Sequence, residues 1–168
     1  DQPKLRRLID KFYTSLTLSN DGPCADDLSA KLLKVCGGKE CVLFSSASTA
    51  IESVINLFRH DTFNVSPYTW VTSVSPLIRN DIDTNAIDIL PHKPTIDLED
   101  YKIKSKPNQV DYFTHLYGIP NVEMLSMPPL GNKKITIFDG AHALGVKYRN
   151  QPIACFGDIT ILSLHATK

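Results

Sequence analysis

Apolar runs of strand length alternating with helix-period segments predict an α/β fold, with a mostly parallel (mixed) sheet sandwiched by helices. Two observations carry this. Short apolar runs recur at Cys41-Val42-Leu43-Phe44, 86–90, 110–113, 135–138 and 159–162, bounded by polar, Gly or Pro residues. Apolar residues at helical spacing recur elsewhere, most clearly Ala47, Ala50, Ile51, Val54, Ile55 and Phe58, which trace one helix face. The chain has 168 residues, 42% of them hydrophobic, enough for one sizeable core.

Leu5, Leu8, Ile9, Phe12, Tyr13 and Leu16 put an amphipathic helix over residues 4–16. The polar turn Ser19-Asn20-Asp21-Gly22-Pro23 follows. A second helix is expected from about Asp26 to Cys36, with Asp26 and Asp27 at its positive end and Gly37-Gly38 stopping it. The run 41–44 reads as a buried strand. Ser45-Ser46 then turns the chain into the helix that begins at Ala47. The remaining runs read as strands, and Pro91-His92-Lys93-Pro94 and Met127-Pro128-Pro129 as surface loops.

Lys plus Arg and Asp plus Glu are 18 each, so bulk charge gives no case for nucleic acid or an anionic membrane. No apolar run approaches the roughly 20 residues of a membrane span, and the polar start Asp1-Gln2-Pro3-Lys4-Leu5-Arg6-Arg7 lacks a signal-peptide core. The expectation is a cytoplasmic protein. Cys24, Cys36, Cys41 and Cys155 form no CxxC pair, so reduced thiols are expected and no metal.

Several residues could carry chemistry. Ser45-Ser46-Ala47-Ser48-Thr49 lies at a helix N-terminus, where backbone N–H groups and hydroxyls suit a phosphate, though from the residues alone a simple serine N-cap is the commoner reading. Neither GxGxxG nor a Walker A motif is present, which removes a nicotinamide-dependent oxidoreductase. Asp139 closes an apolar run at the expected carboxyl edge of the sheet. There it either caps the next segment or holds a protonated ring nitrogen. Trp70, the only tryptophan, is core or a stacking surface. His115 follows a strand, at a loop position that is structural or functional. Lys168 ends the chain in Ser163-Leu164-His165-Ala166-Thr167-Lys168, a surface lysine unless its surroundings activate it.

The order and spacing of these pieces are more specific than any one. Asn20-Asp21-Gly22-Pro23, Ser45-Ser46-Ala47-Ser48, Tyr68-Thr69-Trp70-Val71, His115-Leu116-Tyr117-Gly118, Asp139-Gly140-Ala141-His142-Ala143-Leu144-Gly145, Phe156-Gly157-Asp158 and the Lys168 segment together resemble the DegT/DnrJ/EryC1/StrS family of sugar aminotransferases. The resemblance covers nearly the whole chain and is strongest from Ile137 to Lys168. It implies pyridoxal 5′-phosphate (PLP) as cofactor and the large domain of the PLP-transferase fold type I.

Lys168 matches the catalytic lysine that carries PLP as a Schiff base. Asp139 matches the partner of the pyridine nitrogen, and His142 a contact to the ring or its 3′-oxygen. Trp70 matches the stacking aromatic, while Ala47, Ser48 and Ser163 match phosphate ligands. The turn around Asn20 matches a segment near the sugar nucleotide. Where the family usually has Asn-Gly-Thr this chain has Ser46-Ala47-Ser48; Ala47 can offer its N–H if its φ is negative.

By this resemblance the protein moves an amino group, from glutamate, to a nucleotide-linked keto-deoxy sugar for surface polysaccharide (lipopolysaccharide) or related amino-sugar biosynthesis. The His-Ala-Thr-Lys ending is most like members making 4-amino or 3-amino dideoxy sugars. Residues 1–168 would be the N-terminal part of the large domain, with the rest of that domain and a small C-terminal domain beyond it. Family members are homodimers that share active sites. Two alternatives stand beside this reading: a PLP-dependent sugar dehydratase, against which Lys168 argues because histidine is typical there, and a non-catalytic binding or regulatory homologue.

Overall fold

The computed structural model describes residues 2–15, 17, 22–127 and 135–168. The chain forms two compact units, Asp1–Leu43 and Phe44–Lys168.

The first unit holds helices α1 (Gln2–Ser15) and α2 (Pro23–Cys36), which pack on each other and are joined by an ion pair between Lys11 and Asp27. Both occupy their expected places. Helix α2 starts earlier than expected because Pro23 suits a first turn, whose N–H would have no partner in any case. It ends where Gly37 takes a left-handed conformation (φ 71°) and returns its N–H to the Leu33 carbonyl. Asn20, expected in a polar turn, lies outside the described residues.

The second unit is the α/β body. Helix α3 (Ala47–Leu57) leads to strand β1 (Phe63–Val65), helix α4 (Val71–Arg79) and strand β2 (Thr84–Ala86). Helix α5 (Leu98–Lys104), strand β3 (Val110–Thr114), helix α6 (Val122–Leu125) and strand β4 (Thr136–Gly140) follow. A small hairpin, β5 (Lys147–Tyr148) with β6 (Gln151–Pro152), precedes strand β7 (Ile159–Leu162). The five-stranded sheet has the order β2-β1-β3-β4-β7, and each pairing in it is parallel. Among the described residues, antiparallel pairing is confined to β5–β6 and one Ile89–Ile96 bridge. The mostly parallel sheet expected from the sequence is therefore present.

Successive side chains of a strand point to opposite faces, and the two faces bury separate cores. On one, Ile51 and Ile55 of α3 and Leu77 of α4 pack with Phe63, Tyr112 and Ile137. On the other, Tyr101 of α5 packs with Ile87, Ile96, Phe113 and Phe138, and Met124 and Leu125 of α6 close over them.

Two sequence expectations are corrected, and two elements had no sequence signal. Residues 41–44 form no strand, and Val42 is 73% exposed; an apolar run this short does not fix its own partner. The interior place between β2 and β3 goes instead to Phe63-Asn64-Val65, hidden from an apolar search by Asn64, which is buried and hydrogen-bonded to Asp111 and Ser105. The strand expected over 86–90 begins and ends earlier, at Thr84–Ala86. Helix α4, rich in β-branched residues and carrying Pro76 inside it, also had no sequence signal of its own.

Candidate functional site

The strand order turns back between β1 and β3: from β1 the chain proceeds outward to β2, and from β3 it proceeds the other way through β4 to β7. In open α/β sheets the crevice beyond the carboxyl ends at such a point is where ligands bind. A cleft of about 290 Å³ lies there, lined by Pro67, Tyr68, Thr69 and Trp70 after β1, Leu116 and Tyr117 after β3, His142 after β4 and Lys168 after β7. A 2.7 Å hydrogen bond between the Thr69 and Thr114 hydroxyls ties the first loop to the end of β3.

Trp70 is the N-cap of α4 and is 64% exposed, so it is not core; its ring is available to the cleft. His142 faces Lys168, with Nε2 2.5 Å from Nζ. The backbone N–H of Tyr117 donates to His142 Nδ1 at 3.3 Å, and the Tyr117 ring stacks on the imidazole at an interplanar angle of 11°. With Nδ1 taken by the Tyr117 N–H, Nε2 is the ring atom turned to Lys168 Nζ. Tyr117 reaches this position with φ 57°, and Gly118 follows at φ 74°, where a Cβ would lie 2.9 Å from the His142 carbonyl oxygen. Backbone strain of this kind collects at functional sites.

Asp139 stands at the carboxyl end of β4 and is 2% exposed. Its Oδ2 accepts from Ser73 Oγ at 2.6 Å and its Oδ1 from the Ala141 N–H at 3.0 Å. A buried carboxylate needs such donors. It does not line the open cleft, but its two donors come from segments that do: Ser73 lies one turn after Trp70, and Ala141 precedes His142.

Ser46 and Thr49 form a reciprocal cap at the start of α3, the Ser46 side chain taking the Thr49 N–H and the Thr49 side chain taking the Ser46 N–H. This leaves the Ala47 and Ser48 N–H groups as the ones the cap does not use. Ala47 is helical, so its φ is negative, as an N–H offered by alanine requires. Ser163 Oγ accepts from the His165 N–H at 3.2 Å, and α3 packs on β7, the strand that ends beside Ser163. The structure thus brings Trp70, His142 and Lys168 into one cleft and places Asp139 behind it. Ala47, Ser48 and Ser163 are not among the cleft-lining residues.

His115 is fully buried, stacked on Phe138, and accepts the Asn121 N–H at Nδ1. Burial lowers its pKa to about 4, so it is a neutral structural ring. The sequence reading missed the cleft roles of Tyr68 and Tyr117, although both lie in the motifs it singled out, and it missed Ser73, for which no signal exists without the fold. Among the described residues no group of three or more His, Cys, Asp or Glu side chains is arranged to hold a metal ion, and no helix is long and apolar enough to cross a membrane.

Known proteins agree with this frame. The chain is 29% identical over 164 residues to a dTDP-4-amino-4,6-dideoxy-D-glucose transaminase of Shigella dysenteriae, covering 95% of this chain and 44% of that one. DesI, solved with its TDP-sugar product, superposes with a TM-score of 0.83 at 23% identity over all of this chain and 44% of its own. The PLP-form of Spr1654 from Streptococcus pneumoniae, a putative sugar aminotransferase, gives a TM-score of 0.78 at 22% identity over 95% of this chain and 46% of that one. The chain thus spans less than half the length of the relatives it matches. Residues 2–168 match the profile of a single family along their whole length, and on that match the chain belongs to the DegT/DnrJ/EryC1/StrS aminotransferase family.

Proposed function

We propose that the protein is a PLP-dependent aminotransferase that moves an amino group from an amino acid, glutamate in the first instance, to a nucleotide-linked keto-deoxy sugar. The observation that carries this is the cleft at the sheet's switch point, where Lys168 Nζ meets His142 Nε2 beside the exposed Trp70 ring, with a buried, doubly hydrogen-bonded carboxylate behind.

The residues present suit the cofactor. Lys168 is an amine at the mouth of the cleft and would hold it covalently. Trp70 offers a flat apolar face to its ring. Asp139 supplies the anion that a protonated pyridine nitrogen requires, and the unused Ala47 and Ser48 N–H groups, with the Ser48 and Ser163 hydroxyls, suit a phosphate at a helix N-terminus. When bound, PLP supplies an electron sink for the carbon that bears the amine. Asp139 would keep that sink charged. Lys168 Nζ, as a free amine, would take a proton from the donor carbon and return it as general base and then general acid. His142 Nε2, which faces Nζ, would orient that amine. Donor and acceptor use the same cleft in turn, which gives ping-pong kinetics.

By the same resemblance the protein works in the cytoplasm as a homodimer with shared sites, in surface-polysaccharide or related amino-sugar synthesis. Absorption spectra of the purified protein test the assignment. A visible band that appears with PLP, is bleached by borohydride and is missing in Lys168→Ala is expected, and glutamate should discharge it. A protein that gives no band overturns the cofactor assignment. A band that glutamate leaves untouched overturns glutamate as donor and, if no other amino acid discharges it, transamination itself.

A further inference from the structure

Asp139 owes its geometry to a residue outside the motifs. Ser73 is 1% exposed, sits on α4, and aims its hydroxyl at Asp139 Oδ2 from 2.6 Å. It is the third residue of the helix that Trp70 caps, and its own N–H bonds the Trp70 carbonyl at 2.9 Å. One helical turn therefore presents the exposed aromatic ring to the cleft and the hydroxyl to the carboxylate. The N-terminal turn also turns its partial positive charge toward that carboxylate. The remaining neighbour is Tyr112, 2% exposed on the same face of the sheet. Burial first, and the Asp139 charge second, raise its phenol well above the usual range, so no second anion arises there. With Ser73 on Oδ2 and the Ala141 N–H on Oδ1, rotation of the carboxyl group would break two bonds at a side chain that is 2% exposed.

We propose that Ser73 is a positioning residue for Asp139: its hydroxyl holds the side chain in the one orientation from which it would meet the pyridine nitrogen of the cofactor. This rests on the PLP reading for its last clause only. The orientation of Asp139 is a property of this chain alone.

The test uses Ser73→Ala, Ser73→Cys, which keeps the size with a weak donor, and Ser73→Thr, which keeps the hydroxyl. Crystal structures without cofactor should show Asp139 unmoved in Ser73→Thr and rotated or in several conformers in Ser73→Ala and Ser73→Cys. An unmoved Asp139 in both donor-poor variants overturns the proposal whether or not PLP is the ligand. With PLP labelled with ¹⁵N at the ring nitrogen, the wild type and Ser73→Thr should show the protonated-ring resonance, and the other two a shift toward the unprotonated value. Their kcat should fall ~10–100-fold, the size of a lost hydrogen bond to a charged group, at little change in KM. A fall in melting temperature with the nitrogen resonance and kcat intact would make Ser73 a packing residue only. If the wild type takes up no PLP at all, the function assigned above fails, and the crystallographic comparison still decides whether Ser73 orients Asp139.

Discussion

Asp111 and Asp139 lie on the neighbouring strands β3 and β4, each 2% exposed and each accepting hydrogen bonds at both oxygens. The register sets them at opposite ends of the sheet, Asp111 opposite Thr136 where β4 begins and Asp139 opposite Thr114 where β3 ends. Asp111 is enclosed by core side chains, with Asn64 Nδ2 at 2.7 Å and Tyr101 Oη at 2.6 Å; Asn64 in turn accepts from Asn85 and donates to Ser105. Asn64 stands directly across from both Asp111 and Asn85 in the strand register, so this network pins three strands together. Asp139 takes its donors from two segments that continue into the cleft. Equal burial therefore serves two ends. At the amino edge the carboxylate is satisfied by the core and specifies the sheet, while at the carboxyl edge it stays within reach of whatever enters the site.

The comparison can be broken most sharply by exchanging each carboxylate for its amide. Asp139→Asn should lower turnover about a hundred- to a thousandfold, the scale of a lost preorganised charge, while its urea midpoint falls less than that of Asp111→Asn, because the Ser73 hydroxyl can turn to accept from the amide. Asp111→Asn should do the reverse. The amide places a donor against the Asn64 and Tyr101 donors and should cost about 1–3 kcal/mol of stability, with activity per folded molecule unchanged. If both variants lose the same property, the division between the two ends of the sheet fails.

The buried ring next to Asp139 sharpens the comparison through pH. His115, with its pKa lowered to about 4 by burial, binds fewer protons folded than unfolded between that value and the ordinary histidine pKa near 6.5. Stability is then full above about pH 6.5 and lost as pH falls toward 4, by roughly 3 kcal/mol over that window. Urea midpoints measured from pH 7 to 4 should show this slope, and His115→Phe should flatten it. The smallest effect belongs to the cap of α3. Ser46→Ala removes the hydroxyl that takes the Thr49 N–H and should cost about 1 kcal/mol. Cofactor affinity should change little, since the N–H groups assigned to phosphate lie at Ala47 and Ser48. A large loss of affinity in Ser46→Ala would move the phosphate site onto Ser46.

Asp139, His142, Trp70 and Lys168 stand out in the sequence only through the family resemblance of their motifs, since each residue alone reads equally as a structural one; the fold sets Trp70, His142 and Lys168 in one cleft. The apolar runs of β3 and β4 announce themselves because those strands are buried on both faces. Strand β1 stayed hidden because its middle residue is polar and is made tolerable by partners 21, 41 and 47 positions away. Residues 41–44 misled for the opposite reason, being apolar without a neighbouring strand to pair with.

By itself the sequence determined the α/β alternation, the helical periodicity of α1, α2 and α3, and the motifs that carry the family resemblance. These follow from local periodicity and from side-chain chemistry, which each residue carries with it. Only the tertiary structure decided that β1 and β3 flank the switch point, that the Tyr117 N–H turns His142 Nε2 toward Lys168, and that Ser73 secures Asp139. Those relations are hydrogen bonds and packing between segments far apart in the chain, whose geometry exists only once strand order and register are set.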